Sequence, residues 1–535
     1  MAAVAARLVP VQAVHTADNP VFIHIFDPLT MKKYLFLITL LVPYVLTGQN
    51  AWDALRYSQL NYQGTARSMA LGNAVTALGG DFGSIALNPA ASAVYPYSEF
   101  SFTPSLITSY SDVSYSGQRT HDSYSRFGLN NLGYVGTWNT SNSRGLISLS
   151  FAAGYNKVQD FTMRTSVRRD NSESSWLTPV ATMTDGILSN NLEKSDNYNP
   201  YYDSGAPWRS VLAWNTYLLD PLPGTNDQYI AATENLFGEE ISVGGLLDQR
   251  FIKETRGSMG EYLLNMGASF GNRIYAGYSV SFRNVYYRTY EKFTETSQDP
   301  EAFQTGFSSF SHTYDQTTTG LGVNMKLGII AIPVNNLRLG LSVTTPTWTS
   351  LTDEWQERMT ATFVGGNENA SSPVGSFSYS VRTPWRFNAG AAYTFGSFGL
   401  ISFDYEGVDY TTMKMSERYD RWGFEEENEA IRHGSSDYNF RFANNFRAGA
   451  EIRIAALVLR GGYSYYGAPE RTFEPTHIAS GGLGLRGKQC FADLGVSYRF
   501  KESEGFSLYD AGDDQVPGLN TLSRLRFVLT FGVRF

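Results

Sequence analysis

Cysteine is almost missing from this chain of 535 residues. Cys490 stands alone, so no intramolecular disulfide can form and no thiolate metal cage can be built. Charge is sparse as well. Charged residues make up 17% of the sequence, the net charge is −8, and no basic run or basic helix occurs. That excludes the electrostatic footprint of a nucleic-acid binder. After residue 50 no apolar run approaches the roughly twenty residues that a membrane-spanning helix needs. Histidine is scarce beyond that point too: His121, His312, His433 and His477 show no i+3 or i+4 pairing, so no zincin-type metal site is expected. The acidic stretches 423–430 and 510–515 lack EF-hand spacing and read as solvated loop faces. No enzyme activity, metal or cofactor is expected from these residues.

What the chain does have is aromatics and glycine. Tyr and Phe number 34 each, with nine Trp and 50 Gly, a balance that suits an extensive β-surface with many turns. The last twelve residues show the pattern at its clearest: Leu525, Phe527, Leu529, Phe531, Val533 and Phe535 alternate with Arg524, Arg526, Thr530, Gly532 and Arg534. A period of two is that of a strand whose faces meet different media. In "NNFRAGAEIRIA" the polar face carries Arg447, Glu451 and Arg453, and in "CFADLGVSYRF" it carries Asp493 and Arg499. Ionisable groups of both signs behind an apolar exterior fit a salt-bridged barrel interior.

About fourteen such segments can be counted between residues 99 and 535, joined alternately by short turns and longer, more charged connections, above all 164–257. In hydrocarbon an open sheet edge costs several kcal/mol per unpaired backbone group, so a lipid-facing sheet has to close. The expected fold is therefore all-β, a 14-stranded antiparallel transmembrane β-barrel over 99–535 with a long extracellular loop at 164–257.

The start of the chain carries an address. Met31-Lys32-Lys33 and the following "YLFLITLLVPYVLTGQ" have the order of a secretory signal peptide, read here as 31–49. Residues 1–30 lack that order and read as an upstream extension from a misassigned start codon. Residues 50–98 do not alternate and are rich in Ala, Gly and Asn, so they are expected to enter the barrel as a plug.

Within that segment, "RSMALGNAVTALGGDFGSIALNPAA" resembles the hatch signature of the FadL/TodX family of outer-membrane transporters for hydrophobic compounds. "RTPWRFNAGAAYTFGSFGLISFDYEGVDYTTM" resembles a later strand pair of the same family, and "FRAGAEIRIAALVLRGGYSYYGAP" does so more weakly. The resemblance implies a monomeric barrel with an N-terminal hatch inside the lumen, located in the outer membrane of a Gram-negative bacterium. It further implies passive uptake of long-chain fatty acids or other hydrophobic compounds. Gly72, Asn73, Asp81, Asn88, Pro89 and Ala90 would form the hatch or gate, and the terminal Phe535 resembles the signal by which the barrel assembly machinery recognises its clients. Outer-membrane lipids and lipopolysaccharide would be neighbours. The connection at 164–257 aligns with nothing in the family. Its Trp176, Trp208, Trp214 and Leu218 could offer an apolar groove to a ligand, and Arg386 and Arg447, which fall on the lumen face, could pair with a carboxylate head. Three rival functions stay open: a docking or carrier component of a protein secretion system, an outer-membrane enzyme, and a polar porin.

Overall fold

The computed structural model describes residues 49–417, 423–509 and 517–535; the signal peptide, the upstream extension and the acidic stretch 510–515 thus lie essentially outside the described residues. Fourteen antiparallel strands run up and down in chain order. They are β1 (Glu99–Tyr115), β2 (Gln118–Asn139), β3 (Leu146–Asp160, resumed at Met163–Ser172), β4 (Leu247–Phe270), β5 (Ile274–Ser297), β6 (Phe307–Ala331) and β7 (Leu337–Thr344, resumed at Trp348–Phe363). There follow β8 (Gly375–Arg382, resumed at Arg386–Thr394), β9 (Gly399–Asp409, resumed at Lys414–Glu417), β10 (Phe442–Ile454), β11 (Leu457–Tyr466), β12 (Thr476–Arg486), β13 (Cys490–Phe506) and β14 (Gly518–Arg534). β14 pairs back onto β1 from Glu99↔Arg534 to Ser114↔Leu519, which closes the barrel and removes both sheet edges. The closed fourteen-stranded barrel expected from the alternation is the fold observed.

Outward-facing positions carry the apolar residues. Phe527, Leu529, Phe531 and Val533 on β14, Phe100 and Phe102 on β1, and Tyr278, Phe282 and Tyr286 on β5 are all exposed. Such a belt is stable only against lipid. Among the described residues no helix is long and apolar enough to cross a membrane.

Several strands reach further than the apolar alternation: β2 begins at Gln118, and β4 begins at Leu247 rather than after the connection expected to end at 257. These extensions stand beyond the apolar belt, where polar residues occupy both faces and the two-residue period loses its contrast. For the same reason the connection expected at 164–257 shrinks to 173–246, because its two ends are strand.

Inside the lumen lies the segment from Asn50 to Ser98, with helices α1 (Ala51–Ser58), α2 (Ala66–Ala70) and α3 (Phe82–Ile85) and a 3₁₀ turn over Pro89–Val94. Asn50 and Asp53 form a reciprocal capping box at the start of α1. Above it, residues 173–246 fold into a cap containing α4 (Leu177–Thr184), α5 (Pro200–Asp203) and α6 (Trp208–Asn215). Its core, including Leu177, Val180, Leu212 and Leu218, packs on Phe293, Phe307, Phe310 and Met359 of the projecting wall.

Candidate functional site

The plug is docked by backbone and charge together. Ala66 N–H donates to Thr530 Oγ1 (2.8 Å), Thr76 N–H to Asp404 Oδ2 (2.8 Å), Ser342 Oγ–H to the Leu87 carbonyl (2.7 Å) and Ser464 Oγ–H to the Gly72 carbonyl (2.7 Å). Three buried ionic clusters surround it. Lys326 Nζ reaches Glu261 Oε1 (2.6 Å) and donates to the Ala86 carbonyl (2.8 Å). Arg67 of α2 meets Glu451 (3.2 Å), which also holds Arg460 (2.8 Å). Glu406 binds Arg386 (3.1 Å) and Arg447. Salt bridges buried this deeply add little net stability, but removing one partner leaves an uncompensated buried charge.

The residues matching the hatch signature sit at the tightest contacts with the wall. Asn88 caps the 3₁₀ turn, accepting from Ala90 N–H, and its Nδ2 donates to the Thr76 carbonyl (2.8 Å) and the Ile329 carbonyl (3.2 Å). Pro89 lies against Gly277: a Cβ there would come within 2.3 Å of the Pro89 carbonyl carbon. One on Gly328 would sit 1.9 Å from Asn88 Oδ1, and one on Gly462 would sit 2.2 Å from the Gly72 nitrogen. Glycines therefore make the lumen wall smooth where the plug touches it. Sequence reading missed this belt, although Gly267, Gly277, Gly328, Gly340, Gly449 and Gly462 recur in the lumen register of successive strands. Asn73 has a left-handed backbone (φ 58°) and donates from Nδ2 to the Tyr62 carbonyl (2.9 Å), and buried Asp81 accepts from the Thr65 hydroxyl (2.7 Å).

One side of the barrel is unzipped. β2 and β3 pair only from Asn131↔Asn156 to Asn139↔Ser148. Above that point the backbone of Gln118–Leu129 pairs only with β1 and that of Met163–Ser172 only with β4, while side chains bridge the gap, Asp122 meeting Arg164 (3.3 Å) and accepting from the Ser166 hydroxyl. The upper half of β3 instead bends inward behind β1, where the Ser109 hydroxyl donates to the Thr162 carbonyl (2.6 Å) and Val167 packs with Val113 and Tyr115. The plug caps the bend: Asn61 N–H donates to the Val158 carbonyl (2.8 Å) and Gln63 N–H to the Lys157 carbonyl (3.1 Å). Just below the slot, the outer wall carries an apolar groove of about 340 Å³ lined by Leu132, Tyr155, Tyr262, Leu264 and Phe282 among others. Only Gly133 and Gly154 separate it there from Phe82 of the plug. This is a plugged barrel with a side slot.

Comparison with known proteins gives fold likeness alone. No family model matches the chain, and no curated protein matches it. Among solved structures it is similar to the Pseudomonas putida toluene transporter TodX, with 12% identity and a TM-score of 0.49 over 88% of this chain and 98% of that one. A Pseudomonas aeruginosa FadL homologue gives 12% and 0.49 over 89% and 99%, and the Ralstonia pickettii toluene transporter TbuX gives 15% and 0.46 over 88% and 98%.

The residues expected to meet a ligand fall into two places. Trp176 is buried, stacked on Phe293 (5.8 Å) and His312 (5.0 Å), and Leu218 is fully buried in the same cap core. Trp208 and Trp214 are half-buried there, Trp208 against Trp355 (5.8 Å) and Trp214 edge-on to Tyr229 (6.0 Å). None of the four lines the groove below the slot. Arg386 and Arg447 share Glu406 at the plug, and Arg386 also donates to the Ser58 carbonyl at the end of α1.

One stretch has the spacing of a hydrolase nucleophile elbow: Gly267-Ala268-Ser269-Phe270-Gly271. It runs from β4 into the hairpin turn to β5 rather than into a helix, and Ser269 Oγ–H is spent on Asn272 Oδ1 (3.2 Å). An elbow needs a strand-to-helix turn that exposes the hydroxyl, which this is not.

Proposed function

We propose that the protein is an outer-membrane channel for passive uptake of hydrophobic compounds such as fatty acids or aromatic hydrocarbons, released sideways through the slot between β2 and β3. The observation that carries this reading is the slot itself: pairing stops at Asn131↔Asn156 while the next segment of β3 turns into the lumen and is covered by plug backbone. A chain with about fifteen methylenes loses on the order of 12 kcal/mol on entering water, so a water-filled pore is a poor route for it. A side exit into lipid avoids that cost. The likeness to the toluene transporters and the FadL homologue described above agrees with this reading without carrying it.

In this account residues 50–98 are the hatch, with Asn88-Pro89-Ala90 and Gly72-Asn73 as its fixed points on the wall and Asp81 as an internal brace. The cap and its Trp176, Trp208, Trp214 and Leu218 form the outer lid that a ligand displaces. Arg386 and Arg447 become free for a carboxylate head only when α1 withdraws from Arg386. The chain acts as a monomer, without enzyme activity, metal or cofactor, and the barrel assembly machinery inserts it through the strand ending at Phe535.

Uptake of labelled oleate and labelled toluene by cells with and without the gene tests the reading. Expression raises the uptake of at least one of them, whereas a docking component leaves both unchanged. A polar porin would instead give steady ion conductance in planar bilayers.

A further inference from the structure

A second lipid-facing groove lies on the other side of the barrel, where three neighbouring strands are interrupted together: β7 at Thr345–Thr347, β8 at Thr383–Trp385 and β9 at Tyr410–Met413. It measures about 440 Å³ and is lined by Trp385, Phe387, Gly407, Asp409, Thr412 and Phe442. Gly407 pairs with Phe387 and contributes no side chain, so the dent lies between the exposed rings of Phe387 and Phe442. Its size is within the range of small-molecule binding clefts, about 300–1,000 Å³.

Directly above the groove two cations face each other across a strand pair, Arg382 on β8 and Lys414 on β9. Both are exposed, and among the described residues neither makes an ion pair or a hydrogen bond with an acid. Like charges directly opposite one another destabilise a sheet unless an anion joins them. Their depth indicates where that anion comes from. Trp348, the cross-strand partner of Arg382, and Trp385, three residues along β8, are exposed on the outer face at the end of the apolar belt. Tryptophans at that position mark the headgroup level. The cations therefore stand among headgroups on the long-loop rim, and the groove below them reaches acyl depth.

We propose that this face is a specific site for a phosphorylated glycolipid of the outer leaflet, one acyl chain lying along Phe387, Gly407 and Phe442 and one phosphate bridging Arg382 and Lys414. The site rests on the outer-membrane reading above. It is separate from the slot: none of its residues lines the groove below Asn131 and Asn156.

Native mass spectrometry of the full-length barrel in detergent tests it, with diphosphoryl lipid A as the probe and dephosphorylated lipid A and phosphatidylglycerol as comparators. The wild type retains one diphosphoryl lipid A per barrel and neither comparator. R382Q/K414Q loses that lipid, and W385A weakens it with both cations in place. Retention unchanged in R382Q/K414Q overturns the proposal, as does equal retention of phosphatidylglycerol by the wild type. Circular dichroism confirms that the variants are folded barrels, and oleate uptake by R382Q/K414Q matches that of the wild type. Lipid binding and uptake are read separately, so failure of the glycolipid site and failure of the transport reading are distinguishable.

Discussion

Asn131 and Asn156 are the last residues of β2 and β3 paired in register, joined side chain to side chain by a bond from Asn131 Nδ2 to Asn156 Oδ1 of 2.8 Å. The same amide donates to the Tyr155 carbonyl (3.2 Å) and its oxygen accepts from the Ser101 hydroxyl (3.1 Å), so one side chain rivets three strands at the foot of the slot. Asn131→Leu leaves buried partners unsatisfied and costs about 1–3 kcal/mol. The check is a lower denaturation midpoint in detergent, with faster amide exchange around Asn131.

The plug depends on charge neutrality around Lys326. Glu261 is its partner at 2.6 Å and also lies 3.8 Å from Arg283, with all three side chains buried. Glu261→Gln strands two cations and costs about 3–5 kcal/mol, the usual penalty for breaking a buried pair from one side. Protease sensitivity of residues 50–98 and leak conductance in planar bilayers both rise.

The glycine belt predicts a contrast between two identical substitutions. Gly328→Ala places a methyl 1.9 Å from Asn88 Oδ1 and forces the Asn88–Pro89 turn away from the wall. Overpacking of this kind costs about 1–3 kcal/mol. Gly461→Ala meets nothing within 4 Å and leaves stability unchanged. Paired unfolding curves measure the difference.

Helix α1 is latched to the outer loop helix α7 (Glu425–His433). Trp52 stacks on Phe473 at 5.3 Å and meets Tyr438 and Phe440 edge-on, while Glu427 accepts the Ala51 N–H (3.2 Å). Partial burial pushes the Glu427 carboxyl above its ordinary range, against the lowering effect of that hydrogen bond. A raised carboxyl contributes stability that is fully present below its unfolded pKa of about 4.3 and is lost as pH rises through the raised value. The latch is thus tighter near pH 4 than at neutrality. Trp52 fluorescence follows the change, Glu427→Gln abolishes it, and Trp52→Ala frees α1 at every pH.

The barrel was legible because alternation such as that of Leu525 to Phe535 records which face meets lipid, and fourteen such stretches set the strand number. Strand ends above the belt were not, since at Gln118 or Leu247 both faces are polar. The slot was hidden for a different reason. The upper part of β3 keeps strand character through Val167 and keeps β4 yet loses β2 as a paired neighbour, and pairing partners leave no mark in a single strand's period. The lumenal arginines Arg386 and Arg447 could be placed on the inner face from the period, but their shared use of Glu406 depends on registers across β8, β9 and β10.

The most direct test of the account is to block the slot. Gly128 faces Lys157 across it, and a Cβ built there would lie 2.7 Å from Lys157 Nζ. A single thiol placed there, Gly128→Cys in a Cys490→Ser background, can be capped with a bulky maleimide on the folded barrel, and uptake of labelled oleate or toluene measured before and after. The account predicts that capping abolishes uptake while the Cys490→Ser parent, treated alike, keeps it. Undiminished uptake through the capped barrel would contradict lateral release between β2 and β3.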